Sequence, residues 1–115
     1  MLAQRHRLKS ALLFEQTLAE QRLFSCPAFV VYALPAKSPQ AAVRIGFIVS
    51  KKVEKRATRR NKIKRRLRAL SRAYLLPSAH WQTTVIIARQ AAANWSFEAL
   101  NSAFQQMAKV LQTPS

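Results

Sequence analysis

Apolar residues return along this chain with two different periods. Between residues 10 and 21, Ala11, Phe14 and Leu18 recur at near-helical spacing, with Leu12 and Leu13 widening the apolar face and Ser10 placed to cap the first turn. The spacing predicts a helix of three turns. Residues 28–34 form a run rich in Val and aromatics between Pro27 and Pro35, which lack the N–H that a strand interior would need. That run reads as a strand, and residues 23–25 allow a short additional one. After a loop rich in Pro, Lys and Ser, residues 43–50 predict a further strand with Ile45, Phe47 and Val49 on one face. Gly46, the single glycine of the chain, stands in the middle of that strand, where it reads as room for a crossing helix to approach the backbone.

Residues 56–74 contain neither Gly nor Pro and place Ile63, Leu67, Leu70 and Tyr74 at i, i+4, i+7 and i+11, the narrow stripe of a helix facing a core. Pro77 follows its end. Residues 83–88 are a β-branched run and predict another strand. After a turn, residues 96–111 predict a last helix with Phe97, Leu100, Phe104, Ala108 and Leu111 on its apolar side, Ser96 as cap and Glu98 in the first turn, where the helix dipole favours negative charge. The order is α-β-(β)-β-α-β-α, a small mixed sheet packed with helices in a single domain over residues 1–115, its ordered core at about 7–111.

Charge changes the picture. The 115 residues carry 20 Lys+Arg against 4 Asp+Glu, a net charge of +16, while half of the chain is hydrophobic. That is too apolar for a disordered basic tail and enough for one modest core, so the excess charge calls for a polyanionic partner. The four acids are Glu15, Glu20, Glu54 and Glu98, and aspartate is absent. The carboxylate clusters that hold Mg²⁺ in protein nucleases are therefore lacking, and no metal ligands are expected in the chain. Cys26 is the lone cysteine, which excludes an internal disulfide and suits the cytoplasm. No signal peptide is evident, and the longest strongly apolar run, 28–34, falls far short of the roughly 20 residues of a membrane helix. No membrane partner is expected.

Twelve of the cations lie between Lys51 and Arg72: Lys51, Lys52, Lys55, Arg56, Arg59, Arg60, Lys62, Lys64, Arg65, Arg66, Arg68 and Arg72, opposed by Glu54 alone. Exposed helices gain from alternating signs at i,i+4, whereas Arg60, Lys64, Arg68 and Arg72 repel one another. A run that mildly destabilises its own helix points to polyanion binding. At 100° per residue, Arg60, Lys64 and Arg68 stand at roughly 60°, 100° and 140° from Ile63, with Arg59, Lys62 and Arg66 on the opposite flank. Arginine outnumbers lysine here, and its planar fork suits phosphate. A helix-turn-helix would need a second helix a few residues away, which the flanking strands exclude, so RNA is the expected partner and DNA is not. Phe14, Phe29, Tyr32 and Phe47 are candidates for base stacking, each with a core role as the alternative; Trp81 and Trp95 read as structural.

The run Arg44-Ile45-Gly46-Phe47-Ile48-Val49-Ser50-Lys51-Lys52, followed by Ala57 and then Arg60-Asn61-Lys62-Ile63-Lys64-Arg65-Arg66-Leu67-Arg68, resembles the protein component of bacterial ribonuclease P. The likeness extends to Arg7-Leu8 with Phe14, to Phe29-Val30-Val31-Tyr32, and to Thr84-Val85-Ile86-Ile87-Ala88-Arg89, so residues 7–110 are covered. It implies an α/β sandwich with a left-handed βαβ crossover, against the usual right-handed rule. It implies a basic subunit, monomeric alone and one copy per RNA, that joins a large catalytic RNA and helps remove the 5′ leader of precursor tRNA. Cleavage with Mg²⁺ then belongs to the RNA, with no catalytic residue in the protein. Arg60, Asn61, Lys62, Lys64, Arg65 and Arg68 would contact RNA together with Lys51, Lys52, Arg56 and Arg59. Phe14, Leu18, Tyr32, Lys64 and Arg68 would border the cleft for the single-stranded leader.

The chain departs from the family pattern at several positions. Lys62 stands where Arg is usual, Leu18 where some members have a second phenylalanine, and Arg66 at a position usually apolar. Ser71 replaces a usual Phe, Gln21 a turn glycine, and Thr83 a common Asp. Two other readings remain open at this level. One is a ribosomal-type or general RNA-binding module; the other is a stand-alone nuclease using His6 or His80, for which no paired acid is present.

Overall fold

The computed structural model describes residues 8, 11–20, 22–35, 44–74 and 81–111. Along the chain come α1 (Ala11–Leu18), β1 (Arg22–Ser25), β2 (Phe29–Pro35), β3 (Arg44–Ile48), α2 (Ala57–Tyr74), β4 (Trp81–Ala88), a 3₁₀ turn (Gln90–Ala93) and α3 (Phe97–Leu111). This is the order the periodicities predict, with the short strand present. Ser10, Gln21, His6 and His80 lie outside the described residues.

The strands form one sheet in the order β1-β2-β4-β3. β2 runs antiparallel to both β1 and β4, while β3 lies parallel to β4. A parallel pair needs a crossover, and α2 lies between its two strands in sequence. Alternation along the strands sends Phe29, Val31 and Ala33 of β2, Ile45 of β3, and Ile86 and Ala88 of β4 to one face. There Ile63, Leu67 and Leu70 of α2 and Leu100, Phe104 and Met107 of α3 close over them. The rings of Phe29 and Phe104 meet tilted at 46°, with centroids 4.9 Å apart.

Magnitudes explain why α2 forms despite its charge. Each like-charge i,i+4 pair costs about 0.2–0.5 kcal/mol, whereas each fully buried leucine or isoleucine contributes roughly 1.5–3 kcal/mol. Burial along the stripe wins. Ser71 joins that stripe, fully buried, with no hydrogen-bond partner for its hydroxyl.

Two expectations need correction. On α3 the buried arc runs through Leu100, Ala103, Phe104 and Met107, so Phe97, in the first turn, falls outside it and is 44% exposed. Ser96 does cap this helix, its Oγ accepting from the N–H of Ala99 at 3.1 Å. On α1, Leu12 is exposed while the polar Thr17 is completely buried. The reason is pairing: the Thr17 and Thr83 hydroxyls share a hydrogen bond of 2.6 Å, which satisfies two groups that would otherwise be costly to enclose.

α1 packs on β2 and β4 from the face opposite to α2 and α3. Gly46 explains how. A Cβ at this position would collide with Cζ of Phe14, lie 2.7 Å from its Cε1 and 3.1 Å from Cδ2 of Leu8. The glycine thus makes room for a ring laid on the sheet, as its mid-strand place predicts. Among the described residues, no helix is long and apolar enough to cross a membrane.

Candidate nucleic-acid interface

The sequence places its cations on α2 and on the loop before it, and the structure shows how each is held. The loop leaves β3 through a tight turn in which Ser50 O accepts from the N–H groups of Val53 (3.1 Å) and Glu54 (3.3 Å). Lys51, Lys52, Lys55 and Arg56 project from it into solvent. Glu54 closes the loop onto the helix: its Oε1 accepts from the N–H of Arg56 at 3.2 Å. Arg60 reaches back one turn, and its Nη1 donates to the carbonyls of Glu54 (3.0 Å) and Lys55 (2.7 Å). One arginine of the motif is therefore spent in part on positioning the loop that carries four other cations.

Neutralisation within the molecule is slight. Among the described residues the one ion pair is Arg59 with Glu54, at 3.9 Å, and Arg59 is 61% exposed. A pair this long and this open contributes little. Asn61, Lys62 and Arg65 are exposed; Lys64 and Arg68 are half-buried. The flank that holds Lys62 and Arg66 is turned toward the 3₁₀ turn, since both line a recess with Ala93 and Arg66 Nη1 donates to Trp95 O at 3.3 Å. Lys64 and Arg68 consequently lie on the flank turned away from it.

The second half of the candidate interface is the sheet face under α1. Register aligns Gly46, Val85 and Tyr32 across β3, β4 and β2, and next to them Ile48, Ile87 and Val30. Val85 is fully covered, but Tyr32, Ile48 and Ile87 are only half-buried. They form an apolar shelf beside the half-buried Phe14. Phe14, over β3, and Tyr32, on β2, stand two strands apart, roughly 10 Å. At the Ile48 end of the shelf the chain runs on into Lys51 and Lys52. Leu18, one helical turn after Phe14, is 36% exposed.

The expected cleft residues thus fall in two groups. Phe14, Leu18 and Tyr32 belong to the α1 side of the sheet, whereas Lys64 and Arg68 belong to the α2 side. Two stacking candidates turn out otherwise: Phe29 is fully enclosed in the core, and Phe47 packs against that core from β3, because both point to the closed face. Sequence reasoning missed the anchoring of Arg60 and Arg66, which depends on where the carbonyls of residues 54, 55 and 95 fall.

Comparison with known proteins agrees with this architecture. A family model described as Ribonuclease P matches residues 2–112. The ribonuclease P protein component of Halalkalibacterium halodurans is 32% identical over 104 residues, 90% of this chain and 86% of that protein. That of Picosynechococcus sp. is 37% identical over 87 residues, 76% of this chain and 72% of that protein. Among solved structures, an RNase P protein of Staphylococcus aureus superposes with a TM-score of 0.78 at 26% identity, covering 91% of this chain and 94% of that one. The RNase P protein of Thermotoga maritima shares the fold with a TM-score of 0.74 at 24% identity, over 90% of this chain and 94% of that one.

Proposed function

This chain belongs to the ribonuclease P protein family, and from that premise we propose how its two faces divide the work of a tRNA-processing ribonucleoprotein. As a ribonuclease P subunit it is one part of an endoribonuclease complex and the partner of an RNA subunit. We assign the grip on the catalytic RNA to α2 and its preceding loop, through Lys51, Lys52, Arg56, Arg59, Asn61, Lys62 and Arg65, with Arg60 holding the loop in place. We assign the 5′ leader of precursor tRNA to the shelf of Phe14, Leu18, Tyr32, Ile48 and Ile87. Unpaired bases stack on such half-exposed aromatics, and we assign the leader's phosphates to Lys64 and Arg68.

The observation that carries this reading is the unneutralised helix. Of the cations on α2, Arg59 alone comes within ion-pair distance of an acid among the described residues, at 3.9 Å. Phosphates supply the missing negative charge and release counterions as they do so. Mg²⁺-dependent cleavage is assigned to the RNA, because the chain has four glutamates and no aspartate from which to build a carboxylate cluster, and one of them, Glu54, is set among cations. The protein acts as one copy per catalytic RNA, in the cytoplasm where its substrate is made.

The test is cleavage of precursor tRNA by the catalytic RNA with and without this protein at low Mg²⁺. Stimulation by the protein is expected, and cleavage by the protein freed of RNA is not. Arg65→Ala should weaken binding of the catalytic RNA and leave the melting temperature unchanged. Phe14→Ala should reduce affinity for precursor with a long leader more than for leaderless tRNA. Equal losses for both substrates reject the shelf, and unaltered RNA affinity in Arg65→Ala rejects the role of α2.

A further inference from the structure

Away from the shelf, one recess gathers charge in a partly enclosed setting. It has a volume of about 210 Å³ and is lined by Glu54, Arg59, Lys62, Ile63, Arg66 and Ala93. Positions 59, 62 and 66 follow one another at i, i+3 and i+7, so these side chains stand on a single flank of α2. With Ile63 at 0°, Lys62 and Arg66 lie at roughly −100° and −60°, across the helix from Lys64 and Arg68. Three cations face one carboxylate, and that carboxylate is already engaged by the N–H of Arg56 and by Arg59. Lys62 and Arg66 have no acid within ion-pair distance among the described residues.

Arg66 is also held still. It is half-buried, and Nη1 donates to the carbonyl of Trp95 at 3.3 Å, an anchor 29 residues away in sequence. A guanidinium carries five N–H donors in a fixed plane, so most remain available after that contact. The fork is therefore oriented before any ligand arrives, with an ammonium one helical turn away and an apolar floor in Ile63. Preorganisation of this kind lowers the entropy lost on binding. The matching ligand is a tetrahedral oxyanion that accepts two parallel hydrogen bonds.

A free inorganic anion would leave the remaining cations of α2 exposed, whereas a phosphate within an RNA strand brings further phosphates to them. We propose that this recess seats one backbone phosphate of the catalytic RNA, oriented by the fork of Arg66 with Lys62 as second cation. α2 then holds the catalytic RNA on this flank and faces the leader with the flank of Lys64 and Arg68. The inference rests on the reading of α2 as the RNA-binding helix.

The test uses the protein reconstituted with its own catalytic RNA, with affinity measured as a function of KCl for wild type, Arg66→Leu, Arg66→Lys and Ala93→Glu, and Arg65→Ala as reference. Arg66→Leu should make the slope of log affinity against log salt shallower by about 0.7–0.9, the share of one phosphate. Arg66→Lys should keep the slope and lose part of the affinity, since an ammonium has no fork. Ala93→Glu places a carboxylate at the rim from an exposed position, and it should weaken RNA binding while the melting temperature stays unchanged. It carries the test should Arg66→Leu fold poorly. If the slope responds to Arg65→Ala but affinity is unmoved in both Arg66→Leu and Ala93→Glu, the recess is overturned and the role of α2 stands. If none of the three responds, both fall.

Discussion

The two faces of the sheet are finished to different degrees. On one, α2 and α3 meet over Phe29, Val31, Ile45 and Ile86, and every one of these is buried. On the other, α1 has eight residues and covers only part of the strands, so Tyr32, Ile48 and Ile87 keep contact with solvent. The closed face supplies stability, and the open face is free to meet a ligand. The same division holds for charge: α2 carries its cations on the back of the closed layer, while α1 presents Glu15 and Gln16 and, among its described side chains, no cation.

Substitutions can break this contrast from either side. The largest effect is expected from Phe104→Ala, which empties the centre of the closed face where Phe104 meets Phe29 and Tyr74. A loss of about 3–5 kcal/mol, read by urea unfolding, is expected, with RNA binding lost in proportion to the unfolded fraction. Gly46→Ala acts on the open face. The new methyl meets the Phe14 ring, and the displacement of α1 should cost about 1–3 kcal/mol and weaken leader binding, while binding of the catalytic RNA by folded protein is retained.

Thr17→Val is smaller and more specific. It leaves the buried Thr83 hydroxyl without the bond it makes to Thr17, for an expected loss of about 1–2 kcal/mol. The double variant Thr17→Val, Thr83→Val should recover part of that loss in a double-mutant cycle; additive losses would show that the pair does not couple α1 to β4. The smallest effect on stability belongs to Arg60→Ala, about 0.5–1.5 kcal/mol, since the hydrogen bonds from its guanidinium to the loop carbonyls are partly solvated. Its mark should be faster amide exchange at residues 51–55. Unchanged exchange there would separate Arg60 from the loop and return it to direct contact with RNA.

How much of this is legible in the sequence follows from the range of each interaction. The stripe Ile63, Leu67, Leu70 and the alternation of Ile45, Phe47 and Val49 in and after β3 are local patterns, and they predict the closed face at those positions; β2, apolar throughout, shows no such alternation in its sequence. The concentration of cations on one helix is equally local. The seating of α1 is not: it depends on Thr17 meeting Thr83, 66 positions away, and on a ring resting over Gly46. For that reason Leu12 reads as inward and Thr17 goes unnoticed. The family resemblance names Phe14 and Tyr32 as neighbours of a cleft together with Lys64 and Arg68, which are carried by α2 and not by the sheet face under α1. The anchoring of Arg60 and Arg66 depends on the paths of distant carbonyls, which no spacing rule gives.

One small contact bears on the behaviour of the protein before it meets any nucleic acid. The outermost strand on the Gly46 side is β3, and the N–H of Leu8 donates to its Ile45 carbonyl at 3.0 Å. An outer strand with open carbonyls invites a foreign strand to add on, and Leu8 occupies one of those acceptors. Leu8 thus blocks one of the acceptors that a foreign strand would need, and clipping the chain just after this residue should show first as aggregation.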